Sequence, residues 1–369
     1  MRIGVVKETA PGERRVGLVP DSVARLGGGV DVLVEHEAGA AAGFPDAAYE
    51  HTGARISAVD EVYAQADLVC KVQRPAPDEV ERLPSGSTVV GFLQPLVNRD
   101  LVQALAERGV TSFSMDAIPR VTRAQPMDAL SSQATVAGYK AAILAAASVG
   151  KFFPMLTTAA GTIPPARILV LGAGVAGLQA IATARRLGAI VAGYDVRPVV
   201  KEQVESLGAS FLELDVEGAE GVGGYAVALA ADEQERQREL LALHVADSDA
   251  VIATALIPGK PAPLLVTEDA VRRMRPGAVV VDLAAEMGGN CAVTEPGRTI
   301  TYEGVTVIGE TNVPSTMPLH ASQMYSRNVT SFLGLLIRDG ELAFDFDDEI
   351  VRETCVTHDG QIRKQPVAA

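Results

Sequence analysis

The stretch from Arg167 to Asp195 constrains this chain more than any other, because it reads as a strand, a glycine turn, a helix and a second strand closed by an acid. Ile168 to Leu171 is an apolar run, and Gly172-Ala173-Gly174-Val175-Ala176-Gly177 follows it at once. The helix opened by this turn continues through Leu178-Gln179-Ala180 to Leu187, with Gly188 as the stop. The first glycine permits a tight turn, the second lets backbone approach a pyrophosphate, and the third lets helix and strand pack together. Unpaired N–H groups of the first helical turn then face the phosphates. Ile190 to Tyr194 forms the next strand, and Asp195 at its end stands where a carboxylate accepts hydrogen bonds from an adenosine ribose. A carboxylate there also repels a 2′-phosphate, so the pattern predicts a dinucleotide site that takes NAD in preference to NADP. Arg197 is discordant, since an arginine beside this position accommodates a 2′-phosphate, but the acid comes first.

At 369 residues the chain exceeds what one core usually serves, and two domains are expected. Hydrophobic content of 48% with 35 glycines suits helices packed closely on parallel sheets. Aromatic content of 4%, no tryptophan and a net charge of −14 leave neither stacking platform nor attraction for a phosphate backbone, so nucleic acid is not an expected partner. Cys70, Cys291 and Cys355 lie far apart, without a partner at metal or redox spacing, and read as buried reduced thiols. No run approaches the roughly 18 apolar residues of a membrane span, and Met1-Arg2-Ile3-Gly4 leads straight into a strand. The expectation is a soluble, cytoplasmic chain.

Arg2 to Val6, Val30 to Glu35, Leu68 to Val72, Thr88 to Phe92 and Thr111 to Ser114 read as strands, with helices between them. Strands alternating with helices argue for a parallel sheet. Asp128-Ala129-Leu130-Ser131 opens a long alanine-rich helix reaching Val149, of a length suited to a connector. Beyond the glycine turn, Asp249 to Ala253, Ala278 to Asp282 and Val305 to Ile308 continue a second parallel sheet, and Leu319 to Ile337 resembles a second connector. The architecture expected is therefore α/β: two Rossmann-like parallel-sheet domains joined by two long helices. The first domain is discontinuous, residues 1–130 with 320–369, around a nucleotide domain of residues 131–319. The segment from Glu217 to Leu243 interrupts the alternation with Gly218, Gly221, Gly223 and Gly224 before Tyr225 and a charged stretch, Asp232 to Glu239. Such a segment reads equally as a lid or a tether.

Several motifs together resemble the soluble NAD-binding component of the proton-translocating nicotinamide nucleotide transhydrogenases. They are Lys7-Glu8, Glu13-Arg14-Arg15-Val16, the run from Pro119 to Asp128, Thr158-Ala159-Ala160-Gly161-Thr162, Gly172 to Gln179, Lys201 to Gly208, Gly223-Gly224-Tyr225-Ala226, and Ala284 to Asn290. The resemblance covers essentially the whole chain. It implies that Arg120, Gln125 and Asp128 belong to the loop that holds the nicotinamide end of NADH beside a second nucleotide. Gln125 can bond ribose or carboxamide, and Arg120 and Asp128 can pair; the alternative is that Asp128 merely caps the helix. Ser131, Val175, Val196, Arg197 and Leu256 join Gly172, Gly174, Gly177 and Asp195 around the NAD(H) groove by the same resemblance. Gly224 and Tyr225 fall in a mobile loop that closes over nucleotide. The implied partners are an NADP(H)-binding transhydrogenase domain, a membrane proton-channel subunit through which the chain attaches to the inner face of the membrane, and a second copy of the chain.

Hydride transfer between two nicotinamides needs no general base, so positioning carries the catalysis. The rival reading is alanine dehydrogenase, which the chain resembles at Arg15 and Lys71, the places for a substrate carboxylate and carbonyl. That enzyme needs an acid/base histidine in the segment Phe92-Leu93-Gln94-Pro95-Leu96 and an aspartate where Glu286 stands. Glutamine cannot relay a proton. A non-catalytic NAD-binding module stands as a third reading.

Overall fold

Strands buried on both faces need apolar residues at every position, and the parallel runs of this chain meet that demand. The computed structural model describes residues 1–214, 231–257 and 259–363, which divide into two units, Met1–Gln133 with Pro314–Ala369, and Ala134–Val313.

In the first unit the five expected strands lie side by side and parallel, in the order Thr111–Ser114, Thr88–Gly91, Leu68–Cys70, Arg2–Val5, Asp31–Glu35. Val6, Val72 and Phe92, read from sequence as strand ends, lie beyond the last paired residue and are buried. Three further strands complete the sheet. Arg55–Ser57 pairs parallel with Asp31–Glu35, Cys355–His358 pairs antiparallel with Thr111–Ser114, and Gln361–Ile362 lies outside that. The helix Pro318–Leu336 belongs to this unit and inserts Tyr325, Val329, Phe332, Leu333 and Leu336 into its core, with Phe332 edge-on to Phe113 at 5.6 Å.

The second unit is built on a seven-stranded sheet, ordered Ser210–Phe211, Ile190–Tyr194, Arg167–Leu171, Ala250–Ala253, Val279–Asp282, Val305–Ile308, Thr299–Tyr302. Strand order reverses between Arg167–Leu171 and Ala250–Ala253, and doubly wound sheets take their ligands beyond the strand ends at such a reversal. This sheet is not wholly parallel. Thr299–Tyr302 runs antiparallel to Val305–Ile308, because the two are joined by a two-residue turn, Glu303-Gly304, with positive φ at both positions.

The long helix Ala129–Ser148 runs across the division between the units, and the chain returns between Val313 and Pro314. Gly224 and Tyr225 lie outside the described residues. The charged stretch after them is framework: it belongs to a helix, Ala231–Ala246, that buries Gln237, Leu241 and Val245. All three cysteines are buried, and burial pushes the Cys291 and Cys355 thiols up to about 11. No helix among the described residues is long and apolar enough to cross a membrane.

Candidate functional site

Gly172 sits immediately after the central strand of the second sheet with φ +94°, a conformation that a side chain rarely adopts. The turn is tied on both sides: the Gly172 N–H donates to the Tyr194 carbonyl at 2.8 Å, and the Thr254 Oγ1 donates to the Gly172 carbonyl at 3.0 Å. A Cβ on Gly177 would stand 1.8 Å from the Gly172 carbonyl oxygen, so only glycine lets the helix Val175–Arg186 close onto the strand. Gly174 is the N-cap of that helix. It offers no side-chain cap and has open space in front of it, which leaves the first-turn N–H groups available to an anion. Residues and geometry therefore fit a dinucleotide pyrophosphate.

Asp195 closes the neighbouring strand, and its carboxylate is already engaged. It accepts from the Ala173 N–H at 2.8 Å, the Arg197 N–H at 2.9 Å, Arg197 Nε at 2.9 Å and Arg197 Nη2 at 2.8 Å. The acid thus fixes both the glycine turn and the arginine that the sequence marks as discordant. Val196, between them, is half-buried against the core. Gln237 of the charged helix donates to the Tyr194 hydroxyl at 2.9 Å, one residue before the acid.

Leu256 is exposed on the loop after Ala250–Ala253, the same loop that carries Thr254. A residue absent from the sequence-derived site holds this loop. The buried Asn290 amide accepts from the Ala255 N–H at 3.0 Å and donates to the carbonyls of Ala255 at 2.9 Å and Pro263 at 2.8 Å. Asn290 is in turn fixed through its own N–H by Asp282, whose buried carboxylate also accepts from Ala284, Cys291 and Thr294.

In the first unit, residues 119–128 form the second group of candidates. A 3₁₀ turn, Thr122–Met127, buries Ala124 and Met127 in the core and leaves Arg120 and Gln125 exposed. The carboxylate of Asp128 accepts from the Ser131 N–H at 2.9 Å and Ser131 Oγ at 2.6 Å, so it caps the helix Ala129–Ser148.

The N-terminal domain of alanine dehydrogenase/PNT matches residues 4–137, and the C-terminal domain matches residues 141–365. The chain belongs to the alanine dehydrogenase/PNT family. It is 47% identical over 374 residues to an NAD(P) transhydrogenase subunit alpha chain of Rhodospirillum rubrum, covering 98% of this chain and 97% of that protein. Alanine dehydrogenase of Halomonas elongata is 31% identical, covering 100% of this chain and 96% of the other. The solved structure of transhydrogenase from Sinorhizobium meliloti matches with a TM-score of 0.90 at 44% identity, covering 98% of this chain and 100% of that one.

Within this family, Arg15 and Lys71 are the residues that separate the two readings of the sequence, and the structure buries both. Arg15 grips Glu13 with Nε at 2.9 Å and Nη2 at 2.6 Å, and donates to Gln133 Oε1 at 2.8 Å. Burial alone would raise the Glu13 carboxyl, but the hydrogen bonds and charge of Arg15, with Gln73, outweigh it and hold the group at about 2. Lys71 donates to Glu79 at 2.7 Å and pairs with Glu8 at 3.6 Å. Burial would lower its pKa, but these carboxylates reverse the direction. Both cations are thus held by carboxylates of the chain itself. Gln94 is exposed with φ +48° and accepts from Arg74, while Glu286 accepts from the Asn312 N–H at 2.6 Å.

Proposed function

We propose that this chain is the NAD(H)-binding component of a proton-translocating transhydrogenase. In this reading a hydride passes directly between NADH held here and NADP⁺ held on a partner domain, while a membrane subunit conducts the protons. The observation that carries the reading is the glycine turn at the reversal of the second sheet, in a chain similar to a transhydrogenase subunit over nearly its full length.

NADH, when bound, supplies the hydride. The chain's own residues bind and orient. First-turn N–H groups after Gly174 hold the pyrophosphate, Asp195 and Arg197 meet the adenosine ribose, and Val175 and Leu256 offer exposed apolar surface. Gln125 and Arg120 orient the nicotinamide end, and Asp128 with Ser131 fixes the start of the helix behind them. No proton leaves the substrate, so the rate depends on bringing the reacting carbons to about 3 to 3.5 Å. Phe152 and Met155, 54% and 63% exposed before the hairpin Leu156–Thr158 with Gly161–Ile163, support a homodimer, since a second copy would cover such apolar surface.

The test is Gln125→Asn, assayed by hydride exchange in the presence of the NADP-binding partner. Exchange slows by roughly a hundredfold while NADH affinity stays nearly constant, because the shorter arm misplaces the ring without touching the pyrophosphate site. Equal losses in both refute the assignment. Alanine-dependent reduction of NAD⁺ by the isolated chain would establish the dehydrogenase reading instead, and tight NADH binding without exchange would establish a non-catalytic module.

A further inference from the structure

Two residues remote in sequence from the 119–128 loop hold it from beneath and from the side. Asn328 sits on the helix Pro318–Leu336, more than nine-tenths buried, and its Nδ2 donates to the Pro126 carbonyl at 2.8 Å. Its Oδ1 is also buried and finds no partner among the described residues. A buried amide with one end unsatisfied is costly, and an apolar residue of similar volume would be cheaper to bury. The Pro126 carbonyl can only accept, which fixes the orientation of the amide.

Asp348 provides the second anchor. Its carboxylate takes a two-pronged pair from Arg123, Nη1 to Oδ2 at 2.7 Å and Nη2 to Oδ1 at 2.8 Å, and it also caps the helix Glu349–Thr354 through the Ile350 N–H at 2.8 Å. The hydrogen bonds from Arg123 draw its pKa down to about 2, so the pair stays charged across the working pH range. With Ala124 and Met127 plugged into the core, the loop is gripped from Arg123 to Met127 while Gln125 remains exposed in its midst.

We propose that Asn328 and Asp348 are positioning residues for hydride transfer, acting by fixing the backbone that presents Gln125. This rests on the reading of that loop given above. Neither residue needs to touch coenzyme; each acts through a loop atom, Pro126 O or the Arg123 guanidinium. A loop ordered before its partner docks loses no conformational freedom at the reactive step.

The test uses two variants of the full chain that preserve the fold. Asp348→Asn keeps a good N-cap and removes the ion pair, and Asn328→Leu fills the same volume without the buried amide. Hydride exchange with the NADP-binding partner should fall about tenfold or more in each, with KM for NADH within about twofold and no loss of melting temperature in Asn328→Leu. A merely structural role would instead lower melting temperature along with rate, and that outcome overturns the proposal. Unchanged rates in both variants, while Gln125→Asn slows exchange, overturn the proposal and spare the function. If Gln125→Asn is itself silent, the function assigned to the loop falls, and these roles with it.

Discussion

Asp195 illustrates how one side chain answers two demands. A carboxylate has about four acceptor positions, and here Ala173 and Arg197 direct four N–H groups at them. A ribose diol must therefore displace Arg197 from part of its grip. Asp195→Ala should weaken NADH binding by about tenfold and relax the rejection of NADPH, because the freed guanidinium can then meet a 2′-phosphate. Titration with both coenzymes checks this, and unchanged selectivity would count against a ribose role. Glu13 makes a different test, in pH. Its folded-state pKa of about 2 lies below the ordinary 4.5, so the stability it contributes is present above 4.5 and is lost as pH falls toward 2. Glu8, raised mainly by burial, carries the opposite sign. Glu13→Gln should cost about 3 to 5 kcal/mol at pH 7, by leaving Arg15 buried without its carboxylate, and much less near pH 2. Urea midpoints at the two pH values measure the difference.

Among elements, the strand, turn and helix from Arg167 to Arg186 are dictated locally, since each glycine answers a contact within a few residues or with the adjacent strand. Gly177→Ala should therefore open the turn. It should destabilise the second unit by roughly 1 to 3 kcal/mol and abolish tight NADH binding, checked by calorimetry and by coenzyme fluorescence. The same locality explains what could be read in advance. The interior strands were legible as continuous apolar runs. Arg55–Ser57 and Thr299–Tyr302 were not, because edge strands are short and half-exposed and carry polar residues. In the candidate sites, Gly172 and Asp195 were legible from spacing. Asn290, Asn328 and Asp348 were not: their partners lie 35, 202 and 225 residues away, and no periodicity reports such a contact. The capping role of Asp128 was legible because Ser131 is three residues on.

The whole chain is an interrupted unit with a continuous one inserted into it, Ala134–Val313 between the two parts of the first. Residues 349–369 contribute Ile350, Val351, Cys355 and Val356, all almost fully buried, to the first unit. Their deletion should unfold that unit and spare the second, so that calorimetry loses the first unit's share of the unfolding enthalpy; an unaltered transition at the native temperature would contradict it. The late strand Cys355–His358 has a further consequence during synthesis. Until it leaves the ribosome, the edge of Thr111–Ser114 has no neighbour on that side, although the inserted unit has long been complete. At about 5 to 20 residues per second that wait lasts on the order of ten seconds or more. The half-made sheet spends it as an open template for other nascent chains, so the cell's holding chaperones have their natural point of engagement there.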